Sequence, residues 1–309
     1  MEVIRKAKDF DRSFKNPVLT IGNFDGVHLG HQRIFQRVRE HAQKIGGESI
    51  AYTFDPHPVE LFNSDSDPFL LLPVEERLRL IGDLGIQVII CAPFTREFAN
   101  LTAEEFVRDI LFRQIGVRKV FVGQNTSFGR GREGSSGLLK EFGQRMGFKV
   151  EIVEALEMGG MAVSSTRIRT LIRQGKMGGA AELLGRYPFM IGEVVHGHGR
   201  GATKLGFPTA NLKVGRVLVP SPGIYAGWVF IEGRRYPAVA NLGWNPTFQD
   251  QKFSIEVHIL DLQRDLYGRK LKVEFIKRLR DEVTFRGPEE LTVQIKKDIL
   301  LAKEVLQVG

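Results

Sequence analysis

His28 and His31 stand three residues apart in Gly22-Asn23-Phe24-Asp25-Gly26-Val27-His28-Leu29-Gly30-His31, and two imidazoles at that spacing suit chemistry at a phosphate. The stretch follows the apolar run Val18–Ile21 and precedes Ile34, Val38, Ala42 and Ile45, which recur at helical spacing. The pair therefore sits where a buried strand turns into a helix, the end of an open α/β sheet at which ligands bind. A helix N-terminus adds unpaired N–H groups and partial positive charge, both suited to phosphate. Two imidazoles facing one anion there would stabilise a pentavalent phosphoryl transition state without a covalent intermediate. Two other readings compete: an ordinary polar surface histidine, or half of a metal site. Zinc usually needs a third protein ligand. No cysteine cluster accompanies the pair, and the helical metalloprotease pattern has a different spacing with an intervening Glu.

A second cluster is Val163-Ser164-Ser165-Thr166-Arg167-Ile168-Arg169. Its three hydroxyls are N-cap candidates, and with the two arginines they suit the β- and γ-phosphates of a nucleotide. A plain capped helix with surface arginines is the alternative. Phe54-Asp55-Pro56-His57-Pro58 ends a strand in a loop stiffened by two prolines, where Asp55 either helps hold Mg2+ or a ligand or caps the turn. Gly123-Gln124-Asn125-Thr126-Ser127-Phe128-Gly129 is a Gly-rich loop at the same end of the sheet, with Asn125 as its candidate ligand contact.

These loops need an alternating scaffold to hold them. Strand-like runs occur at Val18–Ile21, Ile50–Phe54, Gln87–Ala92, Lys119–Gly123 and Lys149–Val153, with helical patterns at 31–45, 74–84, 102–115 and 136–146 between them. Such alternation predicts a parallel sheet covered on both faces. Two short helices follow near 165–174 and 177–184. After Tyr187-Pro188 the texture changes to strands near 190–195, 224–231, 236–241, 253–260 and 271–276, with a hairpin turn at Glu232–Arg235. This spacing predicts a small antiparallel barrel. Pro288 opens a last helix with Leu291, Ile295, Ile299 and Leu300 on one face. The predicted domains are 1–185 and 186–309, α/β followed by β.

The chain of 309 residues, 42% hydrophobic, is long enough for two cores. Its net charge of +8 fits nucleic acid or small polyanions such as nucleotides. The basic residues are scattered and the aromatics fall at core-like spacing, which favours the small polyanion. The single cysteine, Cys91, lies in an apolar run and reads as a buried thiol in a reducing compartment, the cytoplasm. No signal-peptide pattern opens the sequence, and no apolar run is long enough to span a membrane.

Gly22–His31 and Ser164–Arg169 resemble the paired signatures of the nucleotidylyltransferase superfamily, which implies a Rossmann-like first domain. The second half resembles riboflavin kinase, most specifically in Gly206-Phe207-Pro208-Thr209-Ala210-Asn211-Leu212, and also in Asn241–Phe248 and Glu256–Asp261. In this order the halves resemble the bifunctional bacterial FAD synthetases. The resemblance implies ATP-dependent phosphorylation of riboflavin to FMN, then transfer of AMP from a second ATP to FMN, giving FAD and pyrophosphate. Both steps imply Mg2+, with small molecules as partners rather than nucleic acid or membrane.

The resemblance also implies roles for residues. His28 and His31 would stabilise charge at the α-phosphate, on a loop shaped by Gly22, Asn23, Phe24, Asp25 and Gly30. Ser164, Ser165, Thr166 and Arg169 would hold the outgoing pyrophosphate. Asn125, Phe62 and Phe128 would face the flavin. In the second domain Gly197, Gly199 and Gly201 would cradle phosphates beside Pro208. Thr209 and Asn211 would bind Mg2+, Glu256 would accept the proton of the riboflavin 5′-hydroxyl, and Arg280 would close over the flavin. The sequence departs from the family at Thr126, where an aromatic residue is usual, and at Thr203-Lys204-Leu205, which lengthens the kinase loop. The first departure leaves a kinase with an impaired nucleotide-binding first domain as the alternative.

Overall fold

The computed structural model describes every residue except 8, 9, 11, 63–68, 197–205, 245–252 and 309. The chain divides into two compact units, one of residues 1–67 and 72–165, the other of 68–71 and 166–309.

The first unit is built on the strands β1 (Glu2–Ile4), β2 (Val18–Ile21), β3 (Ser49–Asp55), β4 (Val88–Pro93) and β5 (Lys119–Gly123). Two-residue strands β6 (Ser127–Phe128) and β7 (Gly134–Ser135) follow, then β8 (Lys149–Val153) and the short pair β9 (Glu157–Met158) and β10 (Met161–Ala162). The helices are α1 (Leu29–Lys44), α2 (Pro58–Phe62), α3 (Val74–Asp83), α4 (Arg96–Ala99), α5 (Ala103–Glu105) and α6 (Ser136–Met146). Six strands form one parallel sheet in the order β1-β4-β3-β2-β5-β8. Every residue of β2 is buried, as a strand covered on both faces requires. Its core joins Leu19, Ile50, Tyr52, Ile90 and Val120 from the strands to Phe106 and Ile110.

Three details differ from the sequence-based expectation. The edge strand β1 is only three residues long, too short to show alternation. Helix α1 buries Ile34, Phe35, Val38 and Ala42, whereas Ile45 is exposed because the helix has ended and Ile45 serves as its C-cap. The helix expected over 102–115 opens with a capping box between Thr102 and Glu105 and then widens into a π-helix, Phe106–Gln114. Cys91 is buried in β4 as a free thiol, as expected.

The second unit contains α7 (Ser165–Arg173, of which Ser165 counts with the first unit), α8 (Met177–Leu184) and six barrel strands. These are β11 (Phe189–Val195), β12 (Ala210–Val214), β13 (Gly223–Ile231), β14 (Arg234–Trp244), β15 (Phe253–Ile259) and β16 (Lys270–Arg280), followed by α9 (Pro288–Leu306). They close as an antiparallel barrel in the order β11-β12-β15-β14-β13-β16. Closure removes free edges. Strand β12 was not anticipated, because Ala-Asn-Leu-Lys-Val offers one strongly buried position, Leu212. The hairpin at Glu232-Gly233 has φ of 51° and 80°, the left-handed pair of a two-residue turn that matches strand twist.

Helix α8 packs on β16, and α9 lies across β13, β14 and β16. The buried face of α9 is Asp298, Ala302 and Leu306. Leu300, expected on that face, is exposed: a carboxylate rather than an apolar residue sits at its centre.

Candidate functional sites

The loop between β2 and α1 is wound tightly. Phe24, Gly26 and Val27 have φ of 51°, 81° and 44°, and a β-branched residue in that region is strained. Several bonds hold it there. The Val27 N–H donates to the Phe24 carbonyl at 3.0 Å, and Gln32 Nε2 donates to the Val27 carbonyl at 2.9 Å. The Thr53 hydroxyl donates to the Asn23 carbonyl at 3.3 Å, and the Ser165 hydroxyl to the Asp25 carbonyl at 2.8 Å. The buried Phe24 ring meets His31 edge-on at 5.3 Å and Phe35 at 4.7 Å. Gly22 leaves room for it, since a Cβ there would stand 2.9 Å from that ring.

His28 is the N-cap of α1: its Nδ1 accepts from the His31 backbone N–H at 3.3 Å. An accepting Nδ1 puts the proton of the neutral ring on Nε2. The two imidazoles stack with centroids 3.6 Å apart and planes inclined by 18°. Gly30 lies against them, and a Cβ there would be 3.2 Å from the His28 ring. His31 Nδ1 is buried with no hydrogen-bond partner among the described residues. Burial, then the charges of His28 and Arg77, push the His31 imidazole well below its ordinary 6.5, so it is neutral at pH 7.

Arg77 is a residue that sequence reasoning missed. It projects from α3 and is 3% exposed. Nη1 donates to the Asn23 carbonyl at 2.9 Å and Nη2 to the Phe54 carbonyl at 2.6 Å. One guanidinium thus clasps the chain at the carboxyl ends of β2 and β3. The available signal was its position: Val74, Arg77, Leu78 and Ile81 share one helical face, and Leu78 and Ile81 are core.

Other expected residues of the first unit are placed differently. Asn125 is exposed, in the turn after β5. Phe128, expected at the flavin, is instead in the core: it is 8% exposed, packs on Phe106 at 5.9 Å, and lies over Gly134. Asp55 faces Arg5 at 3.7 Å. Phe62 is 66% exposed, beside an aromatic shelf in which Phe94 meets it at 6.4 Å and meets Phe54 at 5.4 Å. Ser164 is half-buried.

In the second unit, Thr166 is exposed in the first turn of α7. Arg169 donates through Nε to the Phe69 carbonyl at 2.8 Å and stacks over that ring.

Three polar residues of the barrel stand in one row across adjacent strands. Glu256 on β15 is directly opposite Asn211 on β12 and Asn241 on β14. Their sequence neighbours Ile255, Val257, Leu212, Ala240 and Leu242 are buried inside, so the three polar side chains share the outer face. Asn241 Oδ1 is buried with no hydrogen-bond partner among the described residues. Two positions on, His258 Nδ1 donates to the Pro208 carbonyl at 2.8 Å, bracing the turn before Thr209. Thr209 lines a cavity of about 410 Å³ with Val194, Pro208, Ala210 and Tyr267. Gly197, Gly199 and Gly201 lie outside the described residues, as do 245–248.

Arg280, expected to close over the flavin, is bonded within its own unit. Its Nε and Nη2 bind the two carboxylate oxygens of Asp298 at 2.9 and 2.7 Å, and Gln294 also donates to that carboxylate. The fork pins α9 to β16 because a buried carboxylate needs this pairing.

Comparison with known proteins covers both units. The FAD synthetase family model matches residues 11–167 and the riboflavin kinase family model matches 184–306. The bifunctional riboflavin kinase/FMN adenylyltransferase of Escherichia coli K12 is 40% identical over 289 residues, covering 93% of this chain and 92% of its relative. The Pseudomonas fluorescens protein of the same name is 39% identical over 305 residues, covering 98% and 97%. A crystal structure described as a macrolide-efflux protein from Streptococcus pneumoniae superposes with a TM-score of 0.86 at 30% identity, covering 97% of this chain and 98% of that one. No described helix is long and apolar enough to cross a membrane. With both catalytic halves present, in the expected order and over nearly the whole length, the chain belongs to the bifunctional riboflavin kinase/FMN adenylyltransferase family, which makes FMN and then FAD with ATP.

Proposed function

We propose that AMP transfer takes place at the His28–His31 pair and riboflavin phosphorylation at Glu256, with Mg2+ held by Thr209 and Asn211. The observation that carries this division of labour is that each unit folds a polar cluster of its own: the stacked imidazoles in one, the Asn211–Glu256–Asn241 row in the other.

In AMP transfer a phosphate oxygen of FMN attacks the α-phosphorus of ATP. The bond to the bridging oxygen breaks and pyrophosphate leaves. His28, with Nδ1 committed to the backbone, offers Nε2–H to the charge that develops. A neutral, desolvated His31 beside it supplies a donor that needs no reorganisation. Gly22, Asn23, Phe24, Asp25 and Gly30 shape the loop, and Ser164 and Ser165 supply hydroxyls near it. The edge-to-face cluster of Phe54, Phe62 and Phe94 offers apolar surface for the isoalloxazine ring, and exposed Asn125 is the loop's flavin contact.

In the kinase, Glu256 accepts the proton of the riboflavin 5′-hydroxyl as its oxygen attacks the γ-phosphorus, and ADP leaves. Asn211 and Asn241 flank Glu256 in register on the two neighbouring strands. The donors fit Mg2+: a hydroxyl at Thr209 and an amide oxygen at Asn211 form a sparse oxygen set, suited to an ion that keeps waters and phosphate oxygens. When bound, Mg2+ would neutralise phosphate charge. We assign the enzyme to the cytoplasm, a reading supported by its lone buried thiol.

Incubation of the protein with riboflavin, ATP and Mg2+, followed by separation of the flavins, tests the whole scheme. FAD is expected. FMN alone would overturn the assignment of the first unit.

A further inference from the structure

Arg77 is a buried cation with an unusual environment. It is 3% exposed, and among the described residues no carboxylate comes within the 4.0 Å of an ion pair. Its only described hydrogen-bond partners are the carbonyls of Asn23 and Phe54. Its Nε is buried without a partner among the described residues. Burial of an unpaired charge is costly, so such a site persists only where something compensates. Asp25, Asp55, Glu60 and the Cys91 thiol contribute field at longer range, but burial outweighs them and lowers the guanidinium's proton affinity.

The two carbonyls it holds are not arbitrary. Asn23 belongs to the loop that carries His28, and Phe54 ends the neighbouring strand. We infer that Arg77 is a positioning residue of the adenylyltransferase site, a fixed buried cation behind the His28–His31 loop whose missing counter-charge is the triphosphate of ATP. It touches neither ATP nor FMN. It acts through the loop, by clasping β2 to β3, and through its field, which also disfavours protonation of His31. The groups acting on His31 are His28 on its own loop and Arg77 from α3. The inference rests on the assignment of AMP transfer to the histidine pair.

The experiment compares the full-length protein with Arg77→Gln, Arg77→Lys and His31→Ala. Gln keeps two N–H donors and loses the charge; Lys keeps the charge and loses the fork. Two quantities are read: the FAD-forming rate from FMN at saturating ATP, with FMN formation from riboflavin as the internal control, and the titration of the His31 imidazole by NMR. Arg77→Gln is expected to lower FAD formation roughly 10- to 100-fold, as loss of a residue behind a contact group does. It should also raise the His31 titration, while burial, the larger cause, still holds it below the ordinary imidazole value. Arg77→Lys is expected to recover part of the rate and to leave the His31 titration where it is in the parent protein.

A wild-type rate in folded Arg77→Gln, or an unmoved His31 titration, overturns the inference, because a mere brace gives the second result. Should Arg77→Gln fail to fold, Arg77→Lys decides: a His31 titration raised despite the retained charge overturns it, and an unmoved titration with a reduced rate supports it. If His31→Ala leaves FAD formation intact, the assignment of the site itself has failed, which is a separate outcome.

Discussion

Gly30 and His28 pack closely: a methyl group built on Gly30 would stand 3.2 Å from the His28 ring, so a larger residue there requires that ring, stacked on His31, to give way by a few tenths of an ångström. The motif is therefore a packing solution as well as a set of functional groups. Replacing Gly30 with alanine should tilt His28 away from its N-cap bond. FAD formation is expected to fall on the order of 100-fold, as small misplacements of reacting groups do. FMN formation should stay within twofold or so of the parent rate, and steady-state assays of both steps check this.

His31→Ala should remove FAD formation while FMN still accumulates from riboflavin. Flavin separation distinguishes the two. Loss of both activities in a folded variant would contradict two separate sites.

The pH dependence of stability follows from His31. Its folded-state proton affinity is lowered by burial, so below its ordinary value of 6.5 the unfolded chain binds the extra proton and the folded chain does not. Stability should therefore fall as pH drops below 6.5, down to the folded-state titration. His31→Gln should flatten that part of the curve. Urea unfolding of both proteins across that range, followed by a probe in the first unit, measures it.

Glu256→Gln should slow FMN formation by roughly 10²- to 10⁴-fold, the usual contribution of a positioned base. FAD should still form from supplied FMN. An unimpaired kinase in this variant would remove Glu256 from its role.

Asp298→Ala leaves the Arg280 guanidinium facing an empty site between α9 and β16. Breaking such a pair from one side costs about 3 kcal/mol. The variant should lose stability in urea while keeping kinase activity under mild conditions, since the Arg280–Asp298 pair holds α9 to β16.

The legible parts of this protein are those where chemistry and periodicity coincide in sequence. The β2–loop–α1 unit declares itself by an apolar run, glycines, two histidines and a helical repeat. Glu256 was visible only through its motif, because a Glu on a strand face looks like any solvated residue; its register with Asn211 and Asn241 is a tertiary fact. Arg77 was hidden for a related reason. A charged residue on an amphipathic helix reads as solvent-facing until the carbonyls it binds, 54 and 23 residues away, are in view. Phe128 could not be sorted from the core, since an aromatic residue carries no mark of which way it points. Arg280 finds its partner 18 residues on.

The membership of α7 and α8 has a practical meaning for anyone dividing this chain. Met177, Ala180, Leu183 and Leu184 of α8 are buried in the same compact unit as the barrel, although the kinase family model starts only at 184. Residues 69–71 are lent to that unit as well, with the Leu218 N–H bonded to the Leu70 carbonyl at 2.8 Å. A fragment cut at the motif boundary would strip a helix from β16 and lay bare an oily flank. An autonomous kinase piece should begin near 166, and even then it lacks 69–71, a stretch of its own compact unit supplied from far upstream in the chain.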